Sequence, residues 1–182
     1  MKNLFYAVCS LVCLALFVAC TEEAPSLIGQ WKSEPVMNND SSSNSSMVID
    51  INLAQDSTMT FATKAVLDSK EKEISIHMPF TAGFKGTWTD DGDEMTWNVI
   101  DSTQYCKFEK DSIQLSFGNP TMEVFADKII KSFIEIFEKE GTKQFLGGFE
   151  KAEPMDYILE GDLLKIVSDN DTILFHRQVV KK

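Results

Sequence analysis

Apolar residues fall at every second position through much of this chain. That period admits little besides β-strands with one buried face. Met47, Ile49, Ile51 and Leu53 alternate with Val48, Asp50 and Asn52. Met59 and Phe61 alternate with Thr58, Thr60 and Ala62, and Ile74, Ile76, Met78 and Phe80 with Ser75, His77 and Pro79. After Gly83 the theme continues through Phe84, Gly86 and Trp88, then through Met95, Trp97 and Val99. Turn-forming runs sit between these segments: DSKEKE after Leu67, DDGD at 90–93, EKDS at 109–112, EGD at 160–162 and SDND at 168–171. Gly92 can take the positive φ of a tight hairpin turn. Many short strands joined by tight turns predict an antiparallel sandwich or barrel. No segment reads as a parallel crossover.

Two segments depart from the period. Met122, Phe125, Ala126, Ile129, Ile130, Phe133, Ile134 and Phe137 step by three and one, the stripe of an amphipathic helix. Asn119-Pro120 supplies an N-cap and a first-turn proline, and Gly141 a stop, which predicts a helix over about 121–140 before the last strands. Its charges, among them Asp127, Lys128, Lys131 and Glu135, exclude a membrane span. The predicted role is to cover one face or end of the sheet. Residues 37–46, MNNDSSSNSS, read as a low-complexity loop between the first two strands.

The chain's 182 residues suit one domain, and 43% hydrophobic with 25% charged residues is ordinary for a buried core. The net charge of −11 argues against nucleic-acid binding, because such a surface repels phosphates.

Residues 1–19 read as a signal peptide, with Lys2 as its basic start and residues 4–18 as its apolar run, shorter than the ~20 residues of a membrane-spanning helix. Phe17-Val18-Ala19-Cys20 resembles a bacterial lipobox, with Phe where that pattern usually has Leu. The resemblance implies lipidation of Cys20, cleavage before it and a lipid-anchored protein in the outer membrane of a Gram-negative bacterium, periplasmic or surface-exposed. The acidic residues of CTEEAPS resemble the surface-export signal of Bacteroidota lipoproteins. Residues 20–26 then form the lipidated cysteine and a short tether, and 27–182 the folded domain. With Cys9, Cys13 and Cys20 assigned to the leader and anchor, Cys106 alone remains in that domain, so no internal disulfide is expected.

Gly29-Gln30-Trp31 opens the first strand, and the chain's single arginine, Arg177, lies in the last, within TILFHRQ. Together these resemble the lipocalin pattern, in which a Gly-x-Trp tryptophan closes one barrel end beneath a terminal arginine. GTWTDDGDEMTWN and YILEGDLLKIVSDNDTILFHR look like the hairpins of lipocalin-like (calycin-type) lipoproteins of Bacteroidota. The fold implied is mainly β: an antiparallel meander closed into a lipocalin-like barrel, with Gly29, Trp31 and Arg177 as its structural closing set. A planar, weakly hydrated guanidinium stacks on an indole better than an ammonium does, which gives the pairing a physical reason.

No phosphate-cradling glycine loop, nucleophile elbow or metal-ligand spacing occurs, so no catalytic residue, metal or cofactor is expected, and the chain is read as a non-enzyme. The leading function is binding of a small hydrophobic or amphipathic ligand, with Met59, Phe61, Ile76, Met78, Phe80, Phe84 and Trp97 as candidate lining residues. The alternatives are a solid-cored surface domain that binds protein or glycan partners, and an inhibitor or accessory subunit. Asp56-Ser57-Thr58, Asp101-Ser102-Thr103, Asp111-Ser112-Ile113 and Asp171-Thr172-Ile173 also resemble Bacteroidota O-glycosylation sites.

Overall fold

The computed structural model describes residues 26–39, 43–71, 73–146, 153–167 and 172–179, with the side chains of 38, 39, 43 and 137–146 excepted. The leader at 1–19 and Cys20 lie outside the described residues, as does the tether up to Ser26.

Eleven strands form one antiparallel sheet: β1 (Gly29–Ser33), β2 (Val36–Asn39), β3 (Ser43–Leu53), β4 (Thr58–Glu71), β5 (Ile74–Asp90), β6 (Glu94–Val99), β7 (Tyr105–Phe108), β8 (Gln114–Phe117), β9 (Met155–Glu160), β10 (Leu163–Val167) and β11 (Thr172–Arg177). Two helical pieces, α1 (Pro120–Glu123) and α2 (Ala126–Leu146), stand between β8 and β9. Backbone hydrogen bonds ring through eight strands in the order β1-β11-β10-β9-β6-β5-β4-β3, and β3 returns to β1. Trp31 opposes Ile51 on one side of β1 and Arg177 on the other.

The ring is uneven. β3, β4 and β5 are long and fully paired, whereas β6 and β9 share only Glu94↔Asp156 and Met95↔Met155. Along one edge of β5 run three short strands in turn: β6 beside Gly86–Asp90, β7 beside Phe80–Gly83 and β8 beside Ile74–His77. The break between β7 and β8 faces Pro79. The Pro79 carbonyl points to that edge, where it accepts from Glu109 N at 3.2 Å, so the proline's missing N–H faces the break and costs no ladder rung. Gly83 and Gly86 are required inside the same strand. A Cβ at Gly83 would meet the Phe61 carbonyl oxygen, and one at Gly86 the Asn98 carbonyl oxygen.

The period-two pattern points into the ring. Trp31, Ile51, Leu53, Met59, Phe84, Met95, Leu164 and Phe175 are fully buried together. Each buried aromatic removes roughly 150–250 Å² from water, about 4–6 kcal/mol before ordering costs are subtracted. Among the described residues, the buried polar side chains Ser33 and Thr63 are both hydrogen-bonded. Ser33 Oγ accepts from Ile49 N at 2.8 Å, and Thr63 Oγ1 donates to the Val48 carbonyl at 3.2 Å.

Two expectations from the sequence are corrected. Residues 37–46 are not simply a loop: 36–39 and 44–47 pair as the arms of the β2–β3 hairpin, from Val36↔Met47 to Asn39↔Asn44. The arms carry no alternation because backbone pairing, not a buried face, holds them. The helix starts with the expected cap, Asn119 Oδ1 accepting from Thr121 N at 2.9 Å, but it is broken after Glu123 and then runs past Gly141 to Leu146. A helical glycine costs only ~1 kcal/mol, too little to end a helix by itself. α2 packs against β5, β7 and β8, where Ile134 and Ile130 join Met78 and Phe108 in a second apolar cluster. Among the described residues, no helix is long and apolar enough to cross a membrane.

Candidate functional site

One end of the ring is shut. Trp31 is 1% exposed, and its Nε1 donates to the Leu27 carbonyl at 2.8 Å. The Arg177 guanidinium lies over the indole, 4.2 Å from the ring centroid. Each of its three nitrogens donates a hydrogen bond: Nε to Asp162 Oδ1 at 2.9 Å, Nη1 to the Ile28 carbonyl at 2.6 Å and Nη2 to the Ser26 carbonyl at 2.6 Å. A lysine at this position could satisfy only one of these directions at a time. Gly29 has φ +145°, a conformation that side chains disfavour, and a Cβ there would stand 2.6 Å from Arg177 Nη1. The glycine of Gly-x-Trp is thus what lets the guanidinium reach the indole. Trp88 seals the neighbouring turn, its Nε1 donating to the Ala54 carbonyl at 3.1 Å.

Moving away from this end, the inward side chains shrink. β4 steps from Met59 and Phe61 to Thr63 and Ala65, whereas β3 keeps its size from Leu53 to Met47 and drops only at Ser45. A cleft of about 910 Å³ opens there, within reach of the ~300–1,000 Å³ typical of small-molecule sites. Its wall comes from Glu34 to Met37, from Ser45 to Met47, from Ala65 to Leu67, from Met78, Phe80 and Phe108, and from Thr172 to Leu174. Glu34 is the only charged residue among these. It is held by its N–H, which donates to the Leu174 carbonyl at 2.9 Å, and by His176 Nε2, 3.0 Å from Oε1.

The seven residues expected to line a single interior divide between different places. Met59, Phe61, Phe84 and Trp97 fill the core instead of a cavity. Phe61 and Phe84 stack at 4.9 Å, with Trp97 tilted against them at 5.9 and 6.3 Å. Met78 and Phe80 border the cleft, whereas Ile76 with Met78 faces a wholly apolar gap of about 260 Å³ beneath α2. The division follows from β5 itself. Its seventeen residues outrun the ring, so one face serves both the core and the helix. Glu34, Ala65, Phe108 and Ile173 border the cleft without having been singled out in the sequence. The decline in size along β4 was a readable signal for one wall.

Both histidines stand on the outer surface beside carboxylates. His77 Nδ1 is 2.6 Å from Asp68 Oδ1, and His176 pairs with Glu34. Among the described residues, no three His, Cys, Asp or Glu side chains gather as metal ligands would. Cys106 is buried within the core cluster and is in no disulfide. Tyr157 donates to Asp90 Oδ1 at 2.7 Å across the β6–β9 seam. Burial first, then that bond and the Asp90 charge, push its pKa up to about 12. No family model matches the chain, and no curated protein matches it in sequence.

Proposed function

We propose that this chain is a membrane-anchored lipoprotein whose ring of strands is a lipocalin-like barrel, shut at the Trp31–Arg177 end and open at the cleft to a small hydrophobic or amphipathic ligand. The observation that carries the reading is the step from large to small inward side chains along β4, from Met59 and Phe61 to Thr63 and Ala65. Large residues pack solidly beneath Trp31, and small ones leave the cleft at the far end, where lining is mostly apolar. Evacuated apolar walls with a few hydroxyls (Ser45, Ser46 and Thr172) suit a greasy body with a polar end. The closing set of Gly29, Trp31 and Arg177 supports the family reading, and Cys20 with its apolar leader supports the anchor. The role is binding, without catalysis.

Native mass spectrometry of the protein purified from its own host tests the ligand. A co-purified small molecule that is lost when Ala65→Phe or Ser45→Phe fills the cleft is the expected result. Repeated absence of any bound species would refute it. Palmitate labelling tests the anchor: Cys20→Ala should abolish both labelling and membrane fractionation.

The second reading is a surface domain that binds a macromolecular partner. It draws on α2, which leaves Ile129, Phe133 and Ile136 exposed, with Phe125 just before it, beside the buried Ala126 and Ile134 and the half-buried Ile130.

A further inference from the structure

We infer that the cleft selects its occupant by head-group charge, taking amphiphiles with a cationic head and rejecting their carboxylate counterparts. The inference rests on the proposed ligand-binding role and narrows it to a chemical class.

Glu34 is the one charged group among the described lining residues, and it sits at the rim, 54% exposed, with its carboxylate toward His176. Nothing in the wall can neutralise an anion. The chain from 33 to 63, which supplies β2, β3 and the start of β4, contains no Lys, Arg or His. The opposite wall, Thr172 to Leu174, contains none either. The protein's −11 charge adds a long-range field of the same sign. A fatty-acid carboxylate entering this rim would lose water without gaining a cation, which is unfavourable. An alkylammonium would keep a partner in Glu34 while its chain lay along Ala65, Met78 and Phe80.

Because Glu34 is half exposed, each charge effect is that of a surface pair, about three- to fivefold in affinity. Attraction of the amine and repulsion of the carboxylate act in opposite directions, so the two should differ by about tenfold or more. The test is isothermal titration of the full chain in zwitterionic nanodiscs, with empty discs subtracted, against octylamine, octanol and octanoate. The expected order is octylamine tightest, octanol next and octanoate weakest. Glu34→Gln should bring octylamine to within about twofold of octanol, and raised salt should do the same. Octanoate binding as tightly as octylamine would overturn the charge filter and leave the ligand-binding role standing. If none of the three binds above the empty-disc blank, the ligand-binding role falls, and the filter with it.

Discussion

Replacing Arg177 by lysine keeps the charge and removes the geometry. The guanidinium makes four contacts at once: the face of Trp31, the carbonyls of Ile28 and Ser26, and the carboxylate of Asp162. The Asp162 side chain is 82% exposed, so that ion pair contributes ~0–1 kcal/mol. Each carbonyl bond is worth ~1 kcal/mol net, and stacking on the almost completely buried indole adds ~0.5–2 kcal/mol. A lysine Nζ can keep one carbonyl and little of the stacking. The expected loss is therefore about 2–3 kcal/mol, or about 5–10 °C in Tm for a domain of this size. Urea unfolding followed by far-ultraviolet circular dichroism measures it without depending on indole fluorescence. The same measurement on Trp31→Phe and on the double variant gives the coupling between the two residues. The reasoning fails if Arg177→Lys costs less than about 0.5 kcal/mol, or if the two single losses add to within about 0.3 kcal/mol.

Three further outcomes are expected. Gly29→Ala should destabilise by more than the ~1 kcal/mol of ordinary conformational strain, since its Cβ displaces Arg177 as well, and Arg177→Ala should largely mask that excess in a double variant. Ile134→Ala, at a site 6% exposed against Met78 and Phe108, should cost ~2–4 kcal/mol in chemical denaturation, while Ile136→Ala, at 66% exposure, should stay within ~0.5 kcal/mol. For Tyr157 the folded pKa of about 12 stands above a tyrosine's ordinary value of 10.0, so the phenol holds its proton more tightly in the folded state. Its stabilising contribution is complete below pH 10 and is lost as pH rises toward 12, so the stability advantage over Tyr157→Phe should be flat up to pH 10 and shrink above it. An advantage that grows over that interval would contradict the assignment.

The strands of the ring were legible because burial of one face writes itself into alternate positions. Ile49, Ile51 and Leu53 on β3 and Met95 and Trp97 on β6 are buried as their spacing requires. What could not be read had other causes. The β2–β3 hairpin is built from Ser and Asn and is held by main-chain bonds, which leave no trace in side-chain pattern. The two-rung contact of β6 with β9 joins segments sixty residues apart, and nothing local announces it. The candidate site was legible at its closed end, where Gly29, Trp31 and Arg177 have distinctive chemistry. At its open end it was not, because a cleft is made by what is small. Ala65 looks unremarkable in the sequence, and only its position opposite Met47 at the cleft gives it a meaning.

β1 is paired along both edges, to β3 made just after it and to β11 made last of all. Until Thr172–Arg177 has been delivered, one flank of β1 offers bare amides and carbonyls to any passing strand, and Trp31 has no cap. The final six-residue strand therefore holds a veto over maturation. A chain cut short before Thr172 would be left sticky rather than merely incomplete.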